Sequence, residues 1–377
     1  MKQSENPSNA PQRKRSGRCI HLTLCLLLAA VTALSCAGCK QSVDQAKATE
    51  AVEVAATVAA PTEPPYDPLN FVKPDIPDSG AEGAYSAVDS GVYVYDNMTF
   101  ELCGASDSAA EDYAAAISDF KKSAPEFTVY NIVATTHAEF GLPQRLIDSG
   151  SVYSASQLDN IKKIYSSYSQ DVKPINCYNT LGEHINEYIY FNTDHHWTGL
   201  GAYYAYQAFC EQTNQTPLKL TDCTENKKEG FLGSFSDCAD SLKPDTVYYW
   251  TFPYATHAMR QEESGMEPYE MNVYYEHIEN PSGLYSTFIC GDSSLFIEYN
   301  DDNKNGKKIA VVKESYGNAF VPYLTYNYEE VHVIDSRYFV GSLKDYMKEN
   351  GITEILFINN IMSANNPFMV DGIRGIF

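Results

Sequence analysis

Thr193-Asp194-His195-His196-Trp197-Thr198 sets a carboxylate and two imidazoles at three consecutive positions. An aspartate two residues before a histidine can hold the His196 ring in one tautomer. The other ring nitrogen is then free to take a proton from a nucleophile. Gly199 to Cys210 reads as a helix with Thr198 as its N-cap. His196 therefore stands just before a helix N-terminus, where the positive dipole end disfavours imidazolium and favours a neutral base. The plainer reading is a buried histidine bonded to an aspartate for packing. Trp197 reads as a core anchor, with a sugar platform as the alternative. His195 reads as a structural or substrate contact, because adjacent side chains rarely converge on one ion. Zinc held by Asp194, His196 and His184 is the metal alternative; the reading adopted has neither metal nor cofactor.

Two serines compete as the partner nucleophile. Gly291-Asp292-Ser293 spells the Gly-Asp-Ser of ordinary SGNH esterases, but Leu-Phe-Ile-Glu-Tyr and a polar turn follow it, which reads as a β-hairpin. A nucleophile elbow needs a strand before the serine and a helix after it. Ser315 meets that requirement, with Ile309-Ala310-Val311-Val312 before it and Gly317-Asn318-Ala319-Phe320 after it. Pro322 is tolerable there, since the first helical turn lacks intrahelical donors.

Asp-His-His-Trp resembles the signature of the bacterial DHHW family, which is similar to the alginate O-acetyltransferases and their SGNH-like relatives. In those relatives the stretch reads Thr-Asp-x-His-Trp-Thr, which falls on Thr193, Asp194, His196, Trp197 and Thr198. Lys308 to Phe320 resembles the family's strand-to-serine turn, with Glu314 where similar turns carry aspartate. The likeness spans roughly residues 85 to 370 and is strong at these two motifs. Asp and His precede Ser, the reverse of ordinary SGNH enzymes; chemistry does not fix triad order.

The resemblance implies double displacement by a serine O-acyl (acetyl) transferase or esterase. Asp194 would orient His196, and His196 would deprotonate Ser315 for attack on an acyl donor. Backbone N–H groups around Ser315 and Tyr316 would meet the oxyanion, each typically worth ~3–4 kcal/mol. Asn318 and Asn359 are the side-chain candidates for that role, and Arg337 a candidate neutralising charge. The alternative is a catalytically silent glycan-binding surface lipoprotein.

The elements needed to position these groups alternate as in an α/β fold. Strands are expected at Gly91–Tyr95, Phe127–Val133, Tyr188–Phe191, Ile309–Val312, Val331–Asp335 and Ile355–Ile358. Helices are expected at Glu111–Lys122, 155–168, from Thr198, and Leu343–Asn350. The pattern argues for an SGNH-like, mainly parallel sheet flanked by helices, with sites beyond the strands' carboxyl ends. A Tyr/Cys-rich insertion is expected over about 220–300.

The front of the chain bears on location. Arg13, Lys14, Arg15 and Arg18 precede an apolar run from Ile20 to Leu34, shorter than the ~20 residues of a membrane span. Leu34-Ser35-Cys36-Ala37-Gly38-Cys39 resembles a lipoprotein signal, with Cys39 as the lipidated residue and Cys36 as second choice. Residues 1–39 thus read as signal and lipobox, 40–65 as a flexible tether, and 66–377 as the SGNH-like domain. The expected location is extracytoplasmic, lipid-anchored to the cell membrane.

The whole chain carries 27 Lys and Arg against 49 Asp and Glu. Residues 1–38 hold five of the former and one of the latter, so removing them leaves 22 against 48, a net of −26. Such a chain is repelled by nucleic acid and anionic phospholipid. Neutral or cationic cell-wall or surface polysaccharide fits as partner, and a transferase would need a separate membrane protein to bring the acyl group across. Of the six later cysteines, Cys210, Cys223 and Cys238 are close enough in sequence to suggest one disulfide.

Overall fold

The computed structural model describes residues 67–377. The expected signal, Cys39 and the tether lie outside the described residues. The described residues form a compact unit with their own core.

Three small strands come first, β1 (Ala84–Tyr85), β2 (Val92–Tyr95) and β3 (Met98–Glu101), in an antiparallel sheet of their own. The expected strand at Gly91–Tyr95 is therefore not the opening strand of the central sheet. Asp96 and Asn97, with φ of 50° and 61°, make the tight left-handed turn that folds β2 back on β3.

The central sheet is built from β4 (Thr128–Ala134), β5 (Val172–Pro174), β8 (Thr256–Gln261), β9 (Tyr269–Met271), β10 (Leu295–Asn300), β11 (Lys308–Lys313), β12 (Glu330–Asp335) and β13 (Glu354–Asn360). Their order is β5-β4-β13-β11-β12-β10-β8-β9. The first five run parallel, and the last three extend the sheet antiparallel. A separate hairpin pairs β6 (Thr224–Phe231) with β7 (Asp245–Thr251).

Parallel strands buried on both faces need continuous apolar runs, and Ile309–Val312 and Ile355–Ile358 supply them. The two covering layers can be read from neighbouring residues. Phe357 meets Phe120 of the helix Asp107–Ser123, while Tyr130, on the opposite face, meets Phe209 of the helix Gly199–Gln212.

Four expectations need correction. Tyr188–Phe191 is not a strand; one bridge joins Tyr190 to Trp197 as the segment folds back on its own downstream residues. The strand after Ser293 makes no hairpin with β11, because β12 lies between them. The expected insertion is only partly one, since β8, β9 and β10 complete the central sheet. The six described cysteines are all free, so the suggested bridge among Cys210, Cys223 and Cys238 does not form; Cys210 faces Asn327 instead. Among the described residues, no helix is long and apolar enough to cross a membrane.

Glu298 on β10 is fully buried, and neither carboxylate oxygen has a partner among the described residues. Burial pushes its carboxyl well above the ordinary value of 4.5. The folded state thus holds a proton that the unfolded chain releases near that value. Its favourable share of stability is complete below about pH 4.5 and is lost as pH rises towards the folded value. Glu298→Met should raise stability by ~1–3 kcal/mol at pH 8 and by less at pH 4.5. Urea unfolding at the two pH values checks this; an equal gain at both would contradict it.

Candidate active site

β11 carries the chain to the carboxyl edge of the parallel strands, and a 3-10 turn at Ser315–Ala319 follows directly. The turn is tight: a Cβ on Gly317 would lie 2.6 Å from Lys313 Cβ, which only glycine avoids. Glu314 holds the turn in place. Its buried carboxylate accepts from Tyr316 N–H at 3.0 Å and from Asn360 N–H, at the end of β13, at 2.8 Å. Ser315 is left half-buried, with its hydroxyl lifted to the edge.

The opposing residues stand on the loop before the helix Gly199–Gln212. Thr198 caps that helix, accepting from Gly201 N–H at 3.3 Å. Asp245 of β7 braces the loop from behind. It accepts from Asn192 N–H, Thr193 N–H, the Thr193 hydroxyl and the Tyr188 hydroxyl. On the other side, Gly233 packs so closely that a Cβ there would lie 2.3 Å from the Thr193 carbonyl oxygen. Ser234 N–H then donates to Asp194 Oδ2 at 2.8 Å.

The result is a continuous hydrogen-bonded line. His196 Nδ1 lies 2.5 Å from Asp194 Oδ1, and His196 Nε2 lies 2.8 Å from Ser315 Oγ. With Nδ1–H donating to the carboxylate, Nε2 accepts from the serine hydroxyl. Although burial pushes the Asp194 carboxyl up, His196 and the Ser234 N–H hold it well below the ordinary range. Asp194 is thus ionised where a buried imidazolium would need a counter-charge. Tyr285 stacks on the His196 ring at 3.8 Å and donates to the Ser315 carbonyl at 2.9 Å.

The other sequence candidates are placed differently. Trp197 is fully buried and donates to the Tyr316 carbonyl, so it is a core anchor and not a sugar platform. Tyr316 offers no backbone donor to an oxyanion, because Glu314 already takes its N–H. Asn318 donates to Asp292, and Asn359 accepts from Tyr113 within the core. Arg337 is bound by Asp335 and Asp292. Arg337 is held by carboxylates and Asn318 turns its amide to Asp292, whereas the contact of Asn359 commits only its oxygen and leaves its amide donors as the side-chain candidate. The Ser315 N–H is the donor at this first turn with no acceptor among the described residues. His195 is partly exposed, its ring lies 3.8 Å from that of His196 at a tilt of 37°, and it contacts Ser234 Oγ at 2.9 Å. Burial and the neighbouring His196 push its pKa down.

Ser293 is buried, with its hydroxyl turned to the Leu295 carbonyl. Its neighbour Asp292 matters instead: it joins Lys313, Arg337 and Asp335 in a charge-balanced cluster beneath the serine turn. Asp194, His195 and His196 bring potential ligand atoms within 4.8 Å of one another. Both His196 nitrogens are, however, committed to hydrogen bonds. His184 pairs with Glu187 and stacks on Tyr204, so it does not complete the zinc set considered from sequence.

Sequence reasoning missed Tyr285, Asp245, Ser234 and Glu101. Glu101 is a partly buried carboxyl close enough to His195 and Asp194 to feel both charges; burial raises its pKa. No motif marks these residues, since each reaches the site from a distant segment. The one local signal was Gly233-Ser234 in the Leu-Gly-Ser-Phe turn.

The family model described as DHHW protein matches residues 47–334. The chain belongs to the DHHW family. A crystal structure of a DHHW family protein from Eubacterium siraeum shares 32% identity at a TM-score of 0.70, covering 78% of this chain and 98% of that one. Bacillus cereus PatB1 with a sulfonyl adduct shares 18% identity at a TM-score of 0.62, covering 76% and 98%. The O-acetyltransferase domain of Pseudomonas putida AlgJ shares 14% identity at a TM-score of 0.45, covering 75% and 98%. No curated protein matches. The DHHW chain has a mixed α/β architecture, a large central sheet flanked by helices.

Gly233→Ala is expected to displace the Thr193–Asp194 backbone without altering any group of the hydrogen-bonded line. Labelling of Ser315 by an aryl sulfonyl fluoride should slow at least tenfold, a rise of about 1.4 kcal/mol in the activation free energy. A rate unchanged from the native chain would show that the close packing at Gly233 does not set the alignment.

Proposed function

We propose that this DHHW protein is an extracytoplasmic serine O-acyl (acetyl) transferase or esterase acting on cell-surface polysaccharide. The observation that supports the reading best is the 2.8 Å contact of His196 Nε2 with Ser315 Oγ while Nδ1 is held by Asp194. In the first half-reaction the Ser315 oxygen bonds to the acyl carbonyl carbon as its proton moves to His196. The tetrahedral oxyanion is met by the Ser315 N–H. Collapse breaks the bond to the donor's leaving oxygen, which takes the proton from His196. In the second half a sugar hydroxyl or water gives its proton to His196 and attacks the Ser315 ester, restoring the serine.

Other parts of the site fit roles around this cycle. Tyr285 holds the His196 ring by stacking, and Glu314 fixes the serine turn. His195, partly exposed beside the catalytic ring, is the substrate contact. Cys39 carries the lipid anchor, and a separate membrane protein supplies the acyl donor. A silent glycan-binding role gains no support from a serine, an imidazole and an ionised carboxylate held in reacting order.

Release of p-nitrophenol from its acetate ester by the chain from Glu63 onward tests the reading. Ser315→Ala should abolish turnover, and Asp194→Asn should lower kcat by about 10³–10⁴-fold through the wrong tautomer. Equal rates for the native and Ser315→Ala proteins would remove Ser315 as nucleophile. Adding an oligosaccharide acceptor and following its acetylation by mass separates transfer from hydrolysis.

A further inference from the structure

The concavity of about 450 Å³ between the β6–β7 hairpin and the start of the helix Gly199–Gln212 has no part in the reaction described above. Its size is ordinary for a small-ligand site, ~300–1,000 Å³. Tyr188, Tyr248, Trp250 and Leu200 supply apolar walls, and Glu225 and Asp245 supply carboxylates. The Tyr188 and Tyr248 rings stand edge to face, with centroids 6.4 Å apart at 81°. The hairpin cannot retreat from the helix without opening the core. A Cβ on Gly199 would lie 2.5 Å from the Tyr248 carbonyl oxygen and 3.3 Å from the Trp250 ring. The walls are thus fixed before any ligand arrives, which lowers the entropy that binding must offset.

We infer that this pocket is a glycan-binding subsite that takes a pyranose ring with neutral or amino substituents. A pyranose offers apolar C–H faces and a polar hydroxyl rim. Aromatic walls match the faces, and carboxylate oxygens at the edge match the rim as acceptors. The two carboxylates differ in role. Asp245 is buried and committed to four donors, so it contributes fixed negative charge. Glu225 is exposed and its side chain makes no hydrogen bond among the described residues, so it is free to accept from a ligand. Negative charge from both disfavours uronates and sulfated or phosphorylated sugars.

The pocket's position makes it relevant to a polymer. Asn192 and Thr198, which also line it, flank the loop carrying Asp194 and His196. A glycan seated there rests against both ends of that loop while Ser315 remains open. The inference does not rest on catalysis by Ser315.

The chain has two tryptophans, and the other, Trp197, is fully buried. Trp250, also buried, is the one that lines the pocket, so a ligand-dependent change in intrinsic fluorescence reports chiefly on Trp250, and it should be titrated in the chain from Glu63 onward. The probes are the tetrasaccharides of glucosamine, N-acetylglucosamine and galacturonate. The first two should give saturable changes, the third none, and Trp250→Phe should remove the signal. Tyr248→Ala should weaken binding at least tenfold. Glu225→Lys, a change at an exposed position, should lower affinity for the glucosamine probe and admit the galacturonate one. Binding should persist in Ser315→Ala. Absence of saturation with both favoured probes would overturn the inference, as would affinities untouched by both Tyr248→Ala and Glu225→Lys. Binding abolished by Ser315→Ala would place the sugar at the serine instead. Ester hydrolysis, read separately, leaves the catalytic proposal to stand or fall alone.

Discussion

One hydrogen bond, His196 Nε2 to Ser315 Oγ, joins loops 119 residues apart in the chain. Its geometry tolerates little error, because a proton passes only between atoms within about 2.6–3.2 Å. Each end is therefore restrained by the backbone as well as by side chains. Ser315 is placed by the end of a central parallel strand and by Glu314, which ties the serine turn to the neighbouring β13. His196 is placed by a helix N-cap behind it and by Asp245 and Gly233 on either side of its loop.

Buried charge is managed differently at the site and away from it. Asp194, Glu314 and Asp245 each accept backbone N–H groups, whose fixed dipoles counter the cost of burial; at Asp194 they and His196 prevail, whereas at Glu314 burial still raises the carboxyl. Lys313 and Arg337 are balanced by Asp292 and Asp335 under the serine turn. Such a cluster contributes little net stability, but removing one member would leave a costly unpaired charge. It also holds Asn318 against Asp292, which fixes the far side of the turn. Glu298, which has none of these partners, marks the contrast.

Local signals carried much of the architecture. The apolar runs at Ile309–Val312, Val331–Asp335 and Ile355–Ile358 are strands of the central sheet, and Thr198 caps the helix read from it. Those features depend on nearest neighbours and on period, which a sequence displays directly. Tyr188–Phe191 misled because its alternating aromatic residues pack a loop rather than extend a sheet. The strand after Ser293 misled because adjacency in sequence does not fix adjacency in a sheet. The choice of Ser315 over Ser293 was legible from the elements on either side of each serine.

The sequence by itself determined which groups have the chemistry: an aspartate and a histidine two residues apart, and a serine at a strand's end. Spacing sufficed because those constraints are local. Tertiary structure alone decided what surrounds them. Glu314 takes the Tyr316 N–H; Asn318 and Arg337 are turned to carboxylates; and Tyr285 stacks on the His196 ring. These are choices among competing hydrogen-bond and packing partners from segments far apart in the chain, and only the packed fold brings the competitors within reach of one another.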